Sequence, residues 1–309
     1  MTRVIIREVG MRDGLQSIAA NMATADKCAW IDAEHGAGVD EIEVCSFVPV
    51  KLLPQFADAE EVVKHALGRN GLTVAALTPN LRGAERGFAL GVHKLNFVVS
   101  VSEAHNLANV RRPVAESVAD FRAIVAARNA LPGSARPVLA AGLSTSFGCS
   151  IAGAVSPDAV VALAGQLLEA GAEELVVADT VGYANPAQVR AMFSRVLREA
   201  GRIPVAAHFH DTRGLGLANA LAALDVGVTA FDASLGGFGG CPYAPGASGN
   251  VATEDLAFML DGMGVETGID IERLLAARAH VERALPGTTF FGALARAGLP
   301  KGHAARRAA

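Results

Sequence analysis

Two histidines one residue apart, His208 and His210, close an apolar run, and the pair Arg12-Asp13 closes another near the start of the chain. A third polar group, Gly-Gly-Phe-Gly-Gly-Cys-Pro-Tyr-Ala-Pro-Gly-Ala-Ser-Gly-Asn, runs from 236 to 250. Imidazole nitrogens and carboxylate or amide oxygens are the donors that hold a divalent cation. Side chains alternate along a strand, so His208 and His210 share one face while Phe209 takes the other. By itself this pair fits two hydrogen-bonded histidines at a strand end as well as it fits half of a metal site. Arg12-Asp13 in isolation reads as a solvated ion pair in a loop. Its position directly after an apolar strand, with Gly14 permitting a tight turn, makes Asp13 a candidate hard ligand and Arg12 a fixed cation beside it.

The glycine-rich stretch loses much backbone freedom on ordering. A chain keeps such a segment where it moves or where a ligand approaches its backbone. A phosphate-cradling loop is the competing reading, but the Gly-Lys-Ser/Thr signature is absent. Cys241 sits in this glycine-flanked loop, unlike Cys28, whose helical context suits packing. Glu43 lies within the apolar run Ile-Glu-Val and is expected to point into a barrel, where it needs a donor such as Arg12. Asp179-Thr180 end another apolar run in the same way. Ser102-Glu103, His105 and Asn109 read as a solvated loop.

The elements that must position these groups follow from hydrophobic patterning. Short runs rich in Val, Ile and Leu predict strands at Val4–Val9, Glu41–Cys45, Thr73–Leu77, Lys94–Val99, Pro137–Gly142, Glu174–Ala178, Pro204–Phe209 and Thr229–Ser234. Amphipathic stretches lie between them. Ser156–Ala170 and Pro186–Ala200 each have a Pro near the start and end beside Gly171 and Gly201, which matches helix start and stop signals. Eight alternating βα units predict an α/β fold of (β/α)8 (TIM barrel) type, with its chemistry at the carboxyl ends of the strands. Two more helices are expected at about Thr253–Gly262 and Asp270–Leu285. The expected organisation is one catalytic domain over 1–285 and a C-terminal segment over 286–309, frayed from about Pro300.

Length and composition agree with that organisation. At roughly 150 residues per domain a chain of 309 residues suggests two domains, but barrels of about 250 residues fold as one. The chain is 51% hydrophobic and 19% charged, with a formal net charge of -4 and no basic stripe, which argues against a nucleic-acid partner. No apolar run approaches the roughly 20 residues of a membrane span, and the first strand leaves no room for a signal peptide. Cys28, Cys45, Cys149 and Cys241 show no paired spacing, so a reducing, cytoplasmic setting is expected.

These pieces together resemble the 3-hydroxy-3-methylglutaryl-CoA lyase family, in the metallolyase group of TIM barrels that also includes isopropylmalate and citramalate synthases. The resemblance runs from about Val4 to Leu285. It is carried by Glu-Val-Gly-Met-Arg-Asp-Gly-Leu-Gln (8–16), Ile-Glu-Val-Cys-Ser-Phe-Val (42–48), Thr-Pro-Asn-Leu (78–81), Ala-Asp-Thr-Val-Gly (178–182), His-Phe-His-Asp-Thr (208–212) and the glycine-rich stretch through Glu254. The Cys-containing loop is specific to the lyase branch. The resemblance implies Asp13, His208, His210 and Asn250 as ligands of Mg²⁺ or Mn²⁺, Arg12 as the catalytic arginine and Cys241 as a mobile-loop cysteine. It also implies Glu43 and Asp179 as buried acids near the reacting centre, with His208 or Asp179 as the base. Arg12, Gln16, Ser46, Asn109, Ser144 and Thr180 are the implied substrate contacts. The implied reaction is cleavage of 3-hydroxy-3-methylglutaryl-CoA to acetyl-CoA and acetoacetate by retro-Claisen chemistry, and a homodimer is the inherited expectation.

The chain departs from the family pattern at several places. Gly142 stands where the lyases carry a tyrosine in Gly-Tyr-Val-Ser-Cys, Gly-Cys-Ser-Ile (148–151) replaces Gly-Cys-Pro-Tyr, and Met11 replaces proline before Arg12. The loop after the fourth strand reads Val-Ser-Glu-Ala-His-Asn-Leu-Ala-Asn-Val (101–110) instead of a Lys-Asn-Ile-Asn pattern. Competing expectations are therefore the same reaction on a different branched 3-hydroxyacyl-CoA (citramalyl-like or longer), a condensing transferase, or a metal-binding barrel without activity.

Overall fold

The computed structural model describes residues 3–240 and 249–303. Its strands are β1 (Ile5–Glu8), β2 (Glu41–Ser46), β3 (Thr73–Thr78), β4 (Lys94–Ser100), β5 (Val138–Ser144), β6 (Glu174–Asp179), β7 (Val205–Phe209) and β8 (Ala230–Ala233). They form a closed parallel barrel in sequence order, with β1 pairing β8. Every strand expected from the apolar runs is present, its ends shifted by a residue or two. The helices are α1 (Thr24–Gly36), α2 (Ala59–Leu67), α3 (Leu81–Leu90), α4 (Glu103–Val110), α5 (Val114–Asn129), α6 (Pro157–Ala170), α7 (Pro186–Ala200), α8 (Gly216–Asp225), α9 (Thr253–Gly262), α10 (Ile271–Ala284) and α11 (Leu294–Ala297).

Local chemistry sets the helix ends. Ser156 caps α6 ahead of Pro157, and Gly171 ends it in a left-handed conformation. Asn185 and Gln188 form a reciprocal capping box at the start of α7. Alternation along the strands sends large apolar side chains outward against the helices. Phe209 packs against Phe193 of α7 at 6.0 Å between ring centroids. That outward anchor turns His208 and His210 inward.

The barrel floor is filled by charge instead of hydrocarbon. Arg7 donates from Nε to Asp232 at 2.7 Å and pairs with Glu174, while Lys94 donates to Glu41 at 2.9 Å and to Glu174 at 2.7 Å. These groups are buried or nearly so, and each is paired, as buried charges must be. Burial alone would raise the Glu174 carboxyl, but Arg7 and Lys94 hold it below its usual range.

One expectation needs correction. The segment after the fourth strand is not a solvated loop: Ser102 caps α4, and His105 is buried with its Nδ1 2.8 Å from Ser100 Oγ. The N-cap hydroxyl and the buried imidazole make that helix stable in a stretch whose sequence reads as polar. Within the C-terminal segment, Phe291 N donates to Gly236 O at 2.7 Å and Phe290 packs on Phe238 at 5.2 Å. Residues 304–309 of the expected tail lie outside the described residues. Cys28, Cys45 and Cys149 are free thiols, and no described helix is long and apolar enough to cross a membrane.

Candidate active site

The segment after β1 forms one turn of π-helix over Gly10–Gly14 instead of the expected tight turn. Such turns carry an extra residue per hydrogen-bonded ring, which re-aims side chains. Gly14 is small because the Phe238 ring lies where a Cβ would be, 2.7 Å away. The turn places Arg12 and Asp13 at the carboxyl-end mouth of the barrel. Arg12 Nε donates to Glu43 Oε2 at 2.5 Å, and its Nη1 donates to Asp13 Oδ1. Asn96 donates to the other oxygen of Glu43 at 2.8 Å. Glu43, only 2% exposed, thus points inward with the donor partner that its burial demands. Despite its own burial, Arg12 between two carboxylates is held even more firmly protonated than usual.

Asp13, His208 and His210 converge, each offering a ligand atom, with all three atoms within 4.8 Å of one another. The two Nε2 atoms of His208 and His210 are 3.1 Å apart, and Asp13 Oδ2 is 3.6 Å from His210 Nε2. Asn250 reaches the same place. Its backbone pairs with that of His210 as an antiparallel bridge, and its Nδ2 donates to Asp13 Oδ2 at 2.8 Å. The described ends of the glycine-rich stretch are small because backbone crowds backbone: a Cβ on Gly249 would sit 2.6 Å from Gly237 O, and one on Gly239 2.7 Å from Asn250 Nδ2. Both glycines have left-handed φ angles, 124° and 110°. Close packing around Asn250 therefore accounts for these two glycines.

Electrostatics follow from the contacts. Burial pushes the Asp13 carboxyl up, but Arg12 and the two imidazoles hold it well below the carboxylate range. Burial lowers the affinity of His208 for a proton, and Asp232, whose Oδ2 lies 3.1 Å from His208 Nδ1, more than offsets this and raises it. Asp232 was missed by sequence reasoning. The available signal was a lone acid inside the apolar run Phe-Asp-Ala of β8. A carboxylate on the second nitrogen of a histidine fixes its tautomer and turns the first nitrogen toward a ligand.

The donor set fits a divalent cation. Carboxylate and imidazole acceptors face one another, and the Oδ1 of Asn250 and the Nδ1 of His210 are buried without a hydrogen-bond partner. A half-turn of the Asn250 amide would bring its oxygen to Asp13 and the histidines. Acceptors gathered in this way repel unless protons or a cation separate them.

The remaining expected site residues are placed as follows. Thr180 Oγ1 donates to Ser144 Oγ at 3.2 Å, making a hydroxyl pair at adjacent strand ends. Ser46 is buried, and its Oγ accepts from Val48 N at 3.3 Å. Gln16 follows the Arg12 turn, with its Oε1 buried and unpartnered. Asn109 is exposed on α4. Asp179 lies on the outward face of β6, and its two oxygens accept Tyr183 N and Ala184 N at 2.9 Å. Burial raises its carboxyl against those two donors. The expected base role of Asp179 therefore meets a carboxylate already occupied in shaping the loop after β6. Cys241 lies outside the described residues.

Comparison with known proteins agrees with this architecture. The family model described as HMGL-like matches residues 3–281. The chain is 42% identical over 280 residues to hydroxymethylglutaryl-CoA lyase YngG of Bacillus subtilis (strain 168), covering 91% of this chain and 92% of that one. It is 40% identical to the mitochondrial hydroxymethylglutaryl-CoA lyase of Rattus norvegicus, over 92% and 86% of the two chains. The structure of an HMG-CoA lyase from Acenitobacter baumannii in complex with coenzyme A and 3-methylmalate superposes with a TM-score of 0.91 at 39% identity, covering 97% and 96%. The carboxyl transferase domain of Rhizobium etli pyruvate carboxylase, at 20% identity and a TM-score of 0.70, shares the fold alone. The chain belongs to the HMGL-like family.

Proposed function

We propose that this protein is a divalent-metal-dependent carbon–carbon lyase that cleaves 3-hydroxy-3-methylglutaryl-CoA to acetyl-CoA and acetoacetate. The observation that carries this reading is the convergence of Asp13, His208 and His210 beside the Arg12 guanidinium at the barrel mouth. Asp13, His208, His210 and Asn250 would hold Mg²⁺ or Mn²⁺. Such an ion, when bound, polarises substrate oxygens and eases loss of the hydroxyl proton.

The chain's own groups supply the rest. Breaking the bond between C2 and C3 leaves its electron pair on the acetyl-CoA enolate, and the former C3 hydroxyl becomes a ketone. Arg12, held at fixed angle by Glu43 and Asp13, has N–H groups left over to donate to the thioester oxygen as charge collects there. One such donor is worth roughly a hundredfold to a thousandfold in rate. Of the two proton acceptors expected, His208 is favoured over Asp179, because its Nε2 faces the cluster and Asp232 stabilises the imidazolium. A nitrogen that holds the ion cannot also take the proton, so when His208 acts as the base, Asp13, His210 and Asn250 are the residues left to hold the ion. Cys241, the loop cysteine implied by the family resemblance, takes the role of enolate proton donor. Ser144, Thr180, Gln16 and Ser46 orient the acyl thioester, and Asn109 on the rim contacts the CoA arm. The direct test is release of acetoacetate from 3-hydroxy-3-methylglutaryl-CoA with Mg²⁺ or Mn²⁺. No product at saturating substrate and metal removes that substrate.

A second reading on acyl specificity is favoured by the barrel lining. Gly142 pairs in register with Val98 and Val176 on the inward face, and Leu77 and Val98 remain partly exposed there. An accessible apolar layer above the charged floor, beside a residue without a side chain, suits a 3-hydroxyacyl-CoA whose C3 branch is longer than methyl. A panel of C3-branched substrates compared by kcat/KM decides between the two acyl groups.

A further inference from the structure

On the outward side of β1 two carboxyl groups meet, with no cation between them among the described residues. Glu8, the last residue of β1, and Glu34, on α1, are both 0% exposed. Their carboxyl groups lie close enough to act on each other directly. Glu8 is richly supplied with donors: Gly10 N at 2.6 Å, Leu235 N at 3.0 Å and the Thr253 hydroxyl at 2.7 Å. Both oxygens of Glu34 lack a well-aligned N–H or O–H donor, and its other polar neighbour is the indole of Trp30. Two carboxyl groups in contact away from water share a proton, because both cannot be ionised there. The donors decide its place. Three of them stabilise charge on Glu8, so Glu34 is the acid.

Among the described residues, the surrounding charges supply no alternative counter-ion. Glu254 faces the pair from α9, and its charge is matched by Arg278 of α10. Toward α2, Lys27 pairs with Asp58, and Asp32 pairs with His65 and Arg69. His280 of α10 lies near Asp26.

We propose that Glu34 is a positioning residue: as a neutral carboxylic acid it donates its proton to Glu8, and Glu8 in turn fastens both segments that carry the active site. Gly10 opens the turn bearing Arg12 and Asp13. Leu235 starts the stretch that returns at Asn250, and Thr253 opens α9 directly behind it. Ionising Glu34 places two anions in contact, loosens these three bonds and displaces Arg12. A misplacement of about 1 Å at a reacting group costs on the order of a hundredfold in rate. Burial pushes the Glu8 carboxyl up to about 7, and burial with the charge of Glu8 pushes the Glu34 carboxyl well above its ordinary value. With a raised value in the folded state, the stabilisation is full below the ordinary 4.5 and is lost as pH climbs through the raised value.

Only the kinetic arm of the test rests on the lyase reading. Infrared spectra of the intact protein at neutral pH are expected to show the carbonyl stretch of a buried protonated acid, missing from Glu34→Gln. Its absence from the parent overturns the proposal, whether or not the variant folds. Glutamine keeps a donor toward Glu8 and cannot ionise. Glu34→Gln is therefore expected to keep kcat within about twofold at neutral pH and to lose the parent's alkaline limb, which falls about tenfold per pH unit. The alkaline decline of its thermal midpoint flattens as well, and Glu34→Leu, which offers no donor, lowers kcat without a matching change in KM. Superimposable alkaline profiles of parent and Glu34→Gln, in both melting and turnover, overturn the assignment.

Discussion

Asp232 joins the floor of the barrel to its mouth: one carboxylate oxygen lies 3.1 Å from His208 Nδ1 and the other accepts Arg7 Nε at 2.7 Å. The histidine that faces the candidate metal position is thus aimed by an acid that is itself aimed by the buried charge network. Asp232→Asn keeps the shape and removes the charge. It is expected to weaken Mn²⁺ binding by about 10- to 100-fold, as loss of a partner behind a ligand does, measured by competition titration on the purified protein.

Arg12→Gln tests the oxyanion role. Glutamine still donates to Glu43, so the fold survives, while kcat falls by about a hundredfold or more. Near-normal kcat in the variant, checked beside an unchanged melting curve, would take Arg12 out of the mechanism.

Acid stability reports the floor network. Glu174 and Asp232 are both held low against burial, with Arg7 the largest cause. Groups with depressed values contribute stability above their ordinary range and lose it as pH falls through the depressed values. The thermal midpoint is therefore expected to drop on acidification below about pH 4, the ordinary carboxylate range. Arg7→Met, which leaves the two acids without that cation, is expected to move the drop to higher pH.

Gly142→Val addresses the acyl pocket. A Cβ at this position would lie 3.2 Å from Val98 Cγ2, so the added methyl groups project over the apolar layer that Val98 and Val176 form. kcat/KM for substrates with long C3 branches is expected to fall about tenfold or more relative to the methyl compound, the scale on which one or two methylenes discriminate in an apolar pocket. Equal losses across the panel would mean that the space beside Gly142 does not hold the branch.

The barrel was legible because its signals are local. Apolar runs mark all eight strands, and the strand ends carry Arg12, Asp13, His208 and His210, which the closed sheet brings to one mouth. What stayed hidden depends on partners distant in sequence. Asp232 is a single acid in a short strand, and its meaning appears only with His208 on one side and Arg7 on the other. Glu34 falls in an unremarkable helix, and only packing places it on Glu8. Asp179 shows the converse: its position at a strand end suggested chemistry, and the contact that packing adds, its two oxygens accepting Tyr183 N and Ala184 N, cannot be read from the sequence.

The contact from Asn250 to Asp13 spans 237 positions of chain. A polypeptide still emerging from the ribosome has the first of these groups long before the last, so the candidate ligands cannot meet until nearly all of the barrel has been synthesised and closed. Proteolytic halves should likewise bind no cation until they are mixed.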